Sequence, residues 1–192
     1  MTTSTTTQRV SASVDLALVA AFAALTAVCS ILPAINISTF VPITLQTFGV
    51  LLAGAVLGAR RGSYAVLLWI LVGAAGMPVF ANGRSGLPVL TGPTGGYIVG
   101  FFFGALVIGL TAQILARRGD PRPVLLYVGG LIALVVIHLA GVVGLRLRAG
   151  LGWSEAVGLD ATFWLGDLVK LVATVLVAAA VHRAFPTLLR RI

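Results

Sequence analysis

The sequence has very little charge for its length. Of its 192 residues, 9% are charged and 59% are hydrophobic. A soluble domain carries roughly 25% charged residues because its surface faces water, so this composition excludes a soluble globular fold. The apolar residues form several runs of about 20, the length that crosses ~30 Å of hydrocarbon. We therefore predict an all-α, polytopic membrane protein whose residues 1–192 form a single integral membrane domain.

Cysteine and acidic residues are also scarce. The single cysteine, Cys29, lies within an apolar run, which excludes a disulfide framework. Five Asp and Glu against thirteen Lys and Arg give a net charge of +8. A basic balance can indicate a nucleic-acid partner, but these cations stand in twos and threes between apolar spans, as in loops that face a cytoplasm. We expect no nucleic-acid partner.

Several motifs are missing. The sequence has no dinucleotide fingerprint, Walker A sequence, zincin motif or Cys/His metal cluster, so we expect no ATP hydrolysis by the chain itself and no metal. No internal repeat is evident, which argues against an inverted-repeat secondary transporter. Residues 1–15 form a polar N-terminal segment. Its Thr-rich start, residues 1–9, has no cationic region before a short apolar stretch, so no cleaved signal peptide is expected.

Six apolar spans follow this polar segment. They are predicted at about 16–35, 43–59, 63–80, 96–116, 124–145 and 161–181. The Gly-rich stretch of residues 81–95 has no helical pattern, and residues 146–160 are interpreted as a looser connection. With the N-terminus inside, nine cations fall on inner segments and three (Arg84, Arg146 and Arg148) on outer ones. This imbalance predicts two cytoplasmic termini and a site that opens outward, beneath residues 36–42, 81–95 and 146–160.

Lys170, the only lysine, falls near the middle of the sixth span. Asp167 lies three residues earlier, so the two side chains share a helix face. A charged residue at bilayer depth costs about 2.5–3.5 kcal/mol on insertion scales. The pair is either a structural ion pair that fixes helix packing or part of a polar cavity for a polar or anionic ligand. We favour the cavity, because ionisable residues inside membranes mostly mark substrate or proton routes.

Two outer segments carry further candidates. Asn82 can donate and accept hydrogen bonds, and Arg84 can bind a carboxylate with two bonds. Gly95 lies where the fourth span begins, so helix N–H groups there favour a negative charge. The alternative is a flexible outer loop followed by a helix start. Thr44, Gln46 and Thr47 place hydroxyls and an amide just inside the second span, either for bonds between helices or for ligand contact.

Other residues have weaker signals. Four aromatic residues near these segments either pack against an apolar ring of a ligand or anchor the interface: Phe40, Phe80, Tyr97 and Trp164. Small residues four apart in the first span, such as Ala17 and Ala21, favour either internal packing or a face for a separate membrane subunit. The isolated histidines, His138 and His182, are assigned no role.

Several short motifs occur together in this chain. They are VPITLQT at 41–47, Gly58 with RRG at 60–62, GMPVF at 76–80, GPTGGY at 92–97 and DLVK at 167–170. In this order they resemble the BioY family, the biotin-specific substrate-binding subunits of energy-coupling factor transporters. The resemblance spans nearly the whole chain. GPTGGY and the Asp-x-x-Lys pair are specific in combination.

The resemblance implies a multi-pass subunit of a bacterial cell membrane that captures biotin outside with high affinity. It implies membrane lipid, a transmembrane coupling subunit and two ATPase subunits as partners, and no cofactor besides biotin as the transported ligand. Lys170, with Arg84, is expected near the carboxylate, and Asn82 with Asp167 near the ureido groups, although the two ends could be exchanged. The predicted substrate-binding residues are Asn82, Arg84, Tyr97, Asp167, Lys170, Thr44, Gln46 and Gly95.

Two other function classes fit the residues less well. A membrane-embedded enzyme needs convergent nucleophile, acid–base or metal residues. Two isolated histidines, one cysteine and one Asp/Lys pair offer little of this kind, so we expect no enzyme. The remaining alternative is a stand-alone carrier for a small anionic metabolite, either facilitative or proton-coupled through Asp167.

Overall fold

The computed structural model describes residues 12–35, 40–118 and 122–189. Most of the N-terminal polar segment, the turn at 36–39 and the cations Arg9, Arg190 and Arg191 lie outside the described residues. Within those ranges every regular element is helical, and the β pairing is limited to an isolated bridge between Ile35 and Ile43. The all-α prediction is confirmed. The helices are α1 (Ala12–Ile31), α2 (Gln46–Ala74), α3 (Leu87–Thr91), α4 (Gly95–Arg117), α5 (Pro123–Arg148) and α6 (Trp153–Ala184), with a 3-10 turn at Ala81–Gly83.

Gly58 divides α2 into two arms, residues 46–57 and 59–74. Its φ of 81° and ψ of 177° are not helical, and positive φ is a conformation that glycine adopts readily. Gly54 and Gly62 would be roughly 12 Å apart along a continuous helix, yet a Cβ on Gly62 would lie 2.6 Å from the Cα of Gly54. The second arm therefore folds back along the first. These arms correspond to the predicted second and third spans.

Five helices of the described chain are long and apolar enough to cross a membrane, judged by length and composition: α1, α2, α4, α5 and α6. Helix α2 lies at the centre, packed against α1, α4 and α6, while α5 packs between α4 and α6. Of the five, α2 is the most buried and α1 the least. The prediction of several apolar helices for a membrane is therefore confirmed.

The connection predicted as loose at 146–160 is largely helical. Helix α5 continues to Arg148 and α6 begins at Trp153. The start of α6 is stabilised because Glu155 Oε2 accepts a hydrogen bond of 2.8 Å from the backbone N–H of Gly152. The prediction was wrong because charged residues near a helix end resemble a loop by composition. As a result, Asp160 lies within α6 and is buried.

The predicted third span also ends too late. Its helix stops at Ala74 rather than near residue 80, and Gly76 follows with a φ of 108°. The stretch at 81–95 is not free of helix, because it holds the 3-10 turn and α3. Helix α3 begins after Gly86, with Pro88 in its first turn, where a missing N–H is harmless.

Arg61, near the bend in α2, contacts two other segments at one end of the bundle. Its Nη2 lies 2.6 Å from Oδ1 of Asp15 at the start of α1. Its Nη1 donates to the carbonyl of Leu188 at 3.4 Å. The start of α1, the bend at Gly58 and the chain after α6 therefore meet at this end, which we call the basic end.

Candidate functional site

A cavity opens toward the other end, between the start of α2, α4, α5 and α6. Its lining is mostly apolar and aromatic, with a few polar groups: Val41, Pro42, Ile43, Thr44, Gln46, Thr47, Phe80, Ala81, Val89, Thr94, Tyr97, Ile98, Phe101, Ile137, Phe163, Asp167 and Lys170. The space is about 570 Å³, counting the solvent at its mouth.

Lys170 and Asp167 form an ion pair in the wall of this cavity. Nζ of Lys170 donates to Oδ1 of Asp167 at 2.8 Å, and the Oγ1 of Thr47 donates to Oδ2 of Asp167 at 3.4 Å. The two charged side chains are 11% and 7% exposed. The pair is nearly buried, yet the cavity reaches both residues. This geometry favours the cavity interpretation over a purely structural pair.

Thr44 and Gln46 lie beside that pair, where α2 begins. The Oγ1 of Thr44 donates to Oε1 of Gln46 at 2.9 Å and accepts from the backbone N–H of Gln46 at 3.3 Å. Both residues are buried and line the cavity. Their mutual bonds hold the Gln46 amide at the cavity wall, where it is placed to meet a polar ligand.

Tyr97 lines the cavity from α4. Its hydroxyl donates to Oδ1 of Asp160 at 2.7 Å, and its ring packs edge-on against Phe163 with centroids 5.9 Å apart. Gly95, two residues earlier, is buried but does not line the cavity. A Cβ on Gly95 would overlap the carbonyl of Leu90, so the close approach of this backbone is what requires glycine there.

Asn82 and Arg84 lie outside the cavity lining and are exposed. Asn82 has the left-handed φ of 58° within the 3-10 turn. Phe80 and Ala81, immediately before them, do line the cavity. Ligand contact by Asn82 and Arg84 stays a prediction, and it requires a movement of this turn.

A histidine and a carboxylate that the sequence did not single out extend the polar cluster. Nδ1 of His138, on α5, lies 2.7 Å from Oδ1 of Asp160, and its Nε2 lies 3.4 Å from Oδ2 of Asp167. Trp164 stacks on the imidazole with centroids 4.4 Å apart and donates from Nε1 to Oδ2 of Asp160 at 3.0 Å. The cluster thus holds two carboxylates, one ammonium group and one imidazole.

The sequence contained one signal for part of this cluster. Asp160, Trp164 and Asp167 are spaced by four and three residues, so a helix that begins before residue 160 puts them on one face. Placing residues 146–160 in a loop hid this pattern. The spacing offered no signal for His138, because α5 brings it to α6 only through tertiary packing.

A second cavity lies at the basic end, between the end of α4, the start of α5 and the end of α6. Its space is about 1010 Å³, counting open solvent. It is lined by Ala112, Leu115, Ala116, Arg122, Pro123, Leu126, Ala179, His182, Arg183, Phe185, Pro186 and Leu189. Among the described residues its walls are cationic and apolar and contain no carboxylate. The first cavity combines a carboxylate, an ammonium group, hydroxyls and an amide, the kind of polar groups that orient a small ligand, so it is the candidate site.

Comparisons with known proteins agree with this architecture. The family model described as BioY family matches residues 1–187. The biotin transporter BioY of Rhizobium etli is 40% identical over 179 residues, which cover 91% of this chain and 96% of that protein. The biotin transporter BioY of Rhodobacter capsulatus is 40% identical over 187 residues, with the same coverage.

A solved structure has the same fold. It is the S-component for biotin from an ECF-type ABC transporter, with a TM-score of 0.84, 24% identity, and coverage of 89% of this chain and 92% of that one. At this identity the likeness concerns the fold. The family match over almost the whole sequence and the relatives at 40% identity establish the classification. The chain belongs to the BioY family.

Proposed function

We propose that this chain is the high-affinity biotin-binding membrane subunit of a vitamin uptake transporter. The observation that carries the proposal is the cavity that reaches the buried Asp167–Lys170 pair. Family membership and the names of the relatives support biotin as the ligand. Binding and transport of biotin require no catalytic chemistry from this chain.

The cavity groups match the chemistry of biotin. A carboxylate that enters a low-dielectric site needs a fixed cation, and Lys170 supplies one. The ureido group offers N–H donors and a carbonyl acceptor, which suit Asp167 and the Gln46 amide. The apolar sulfur-containing ring fits between aromatic walls such as Phe101 and Phe163. The alternative is the same cavity with the two ends of the ligand exchanged.

We also propose six membrane crossings with both termini in the cytoplasm and the cavity facing outward, in a bacterial cell membrane. By helical rise the arms of α2 are about 18 Å and 24 Å long, shorter than the ~30 Å hydrocarbon core. Helix α2 packs against α1, α4 and α6, and short arms suffice as crossings where neighbouring protein shields their backbone from lipid. The basic end would then face the cytoplasm.

The proposed partners are a transmembrane coupling subunit and two ATPase subunits. The S-component with the same fold comes from an ECF-type ABC transporter. Helix α1 fits a role in assembly, because it is the least buried of the long helices and exposes Ala17, Ala20, Ala21 and Ala24. Small residues at this spacing let another helix approach closely in lipid.

Biotin binding to the purified chain tests the proposal directly. The chain is purified in detergent, and the small molecule that accompanies it is identified by mass spectrometry. Binding of biotin is then measured by calorimetry for the wild type, Lys170→Ala and Asp167→Asn. Arg183→Ala, which removes a cation at the basic end, is the matched control. Wild-type affinity in both cavity variants would refute the assignment of this site.

Reconstitution separates the proposal from its alternative. The chain alone in liposomes should accumulate no biotin, with or without a pH gradient, and uptake should require the ATPase module. Accumulation driven by a pH gradient would instead identify a stand-alone, proton-coupled carrier. Equilibration of biotin across the membrane without a gradient or the ATPase module would identify a facilitative one.

A further inference from the structure

Both ring nitrogens of His138 face carboxylate oxygens. Nδ1 lies 2.7 Å from Oδ1 of Asp160, and Nε2 lies 3.4 Å from Oδ2 of Asp167. The His138 side chain is 4% exposed. A carboxylate only accepts hydrogen bonds, and a neutral imidazole has a single N–H. The imidazolium form is the one that can donate to both carboxylates.

The charges of the cluster balance only with this form. The cluster contains two carboxylates, Asp160 and Asp167, and one ammonium group, Lys170, so a neutral His138 leaves it with a net negative charge. Taking a charged group out of water without a partner is unfavourable. An anionic ligand would then enter a cavity that is already negative. An imidazolium at His138 makes the cluster neutral before the ligand enters.

The ligand anion must share Lys170 with Asp167. Nζ of Lys170 is bonded to Oδ1 of Asp167 at 2.8 Å. If the ammonium group turns to the ligand, Asp167 needs another cation. Nε2 of His138 is buried, makes no hydrogen bond, and lies 3.4 Å from the second oxygen of that carboxylate. A small rotation of either side chain would complete this bond.

We propose that His138 is a specificity-determining residue. When Lys170 turns to the ligand, His138 replaces it as the cationic partner of Asp167. This exchange makes the cavity select an anionic ligand over a neutral one. The inference rests on the proposed function, since it assumes a ligand with a carboxylate in this cavity. His138 acts through Asp167, so its role is to position charge rather than to touch the ligand.

The surroundings of His138 hold it in place for this role. Asp160 binds Nδ1, and Trp164 stacks on the ring while donating to Asp160. Tyr97, from α4, faces the ring edge-on with centroids 6.4 Å apart. The titratable groups that face His138 in the described structure are therefore Asp160 and Asp167 from α6 and Tyr97 from α4, with Lys170 beyond Asp167.

The test compares two ligands that differ in one charge. Affinities for biotin and for the neutral biotin amide are measured by calorimetry in wild type and His138→Gln. The variant should lower the ratio of biotin affinity to amide affinity by roughly tenfold. His182→Gln is the matched control, because His182 is the other histidine and contacts the carbonyl of Val56 at the basic end. It should keep the wild-type ratio.

The ratio of biotin affinity to amide affinity is also measured in the wild type as a function of pH. This second measurement does not depend on whether the His138→Gln variant folds. The ratio should fall as the pH is raised from neutral to alkaline, and His182→Gln should show the same fall. If His138→Gln weakens both ligands equally, or if the wild-type ratio is constant with pH, His138 serves only packing and the inference is wrong. If the wild type binds neither ligand, the proposed function itself is wrong and the inference falls with it.

Discussion

Replacement of Lys170 by Gln separates stability from binding at this site. Asp167 is 7% exposed, and Lys170 is its closest partner at 2.8 Å. Removing one partner of a buried ion pair destabilises a protein by about 3–5 kcal/mol. Thr47 and His138 remain at 3.4 Å from the other carboxylate oxygen, so we expect a loss near the lower limit, about 3 kcal/mol. Thermal unfolding in detergent measures this loss.

The double variant Asp167→Asn/Lys170→Gln gives the decisive comparison. It removes both charges, so it should recover most of the stability that Lys170→Gln loses. Biotin affinity should stay low in both variants. A lost charge-assisted contact of about 2 kcal/mol weakens binding roughly 30-fold. If the double variant recovers biotin affinity together with stability, Lys170 serves only to neutralise Asp167, and its role at the ligand carboxylate is refuted.

Three further predictions follow from the geometry. Gly58→Ala should destabilise the fold by about 1–3 kcal/mol in thermal unfolding, because its φ is 81°; Gly158→Ala, with open space around it, is the control. Arg84→Ala should weaken biotin binding far less than loss of the buried lysine, and an equal loss would show that the turn closes over the ligand. In a cysteine-free background on intact cells, an impermeant maleimide should label Thr91→Cys but not Arg183→Cys; the reverse would invert the topology.

The fold could be predicted where apolar length alone determines it. Runs of about 20 apolar residues predict spans without any knowledge of packing. The helix start at Trp153 escaped prediction because it depends on a bond from Gly152 to Glu155, and composition alone assigns such polar residues to a loop. A break near Gly58 was predicted between the spans at 43–59 and 63–80, but the reversal is caused by the positive φ of the glycine.

The site could be predicted in part for a similar reason. Asp167 and Lys170 lie three residues apart in one apolar helix, so the sequence itself brings them together. His138 reaches the same cluster from another helix, and periodicity cannot reveal such a contact. Asn82 and Arg84 have suitable chemistry, but the local turn exposes both. Residue type predicts what a side chain can bind, whereas the backbone determines where it points.

In the proposed binding mode, the cavity distinguishes an anionic ligand from a neutral one by an exchange of ion-pair partners. The cation that suits a carboxylate is already bonded to Asp167, so the ligand gains only the difference between the new contact and the one it replaces. That difference is small for any anion if Asp167 is left unpaired, because an unpaired buried charge is unfavourable. This difference in free energy becomes large if His138 pairs with Asp167 when Lys170 turns to the ligand. The proposed mechanism therefore uses two cations at this carboxylate: Lys170 for the ligand anion, and His138 for Asp167 once Lys170 has turned to the ligand.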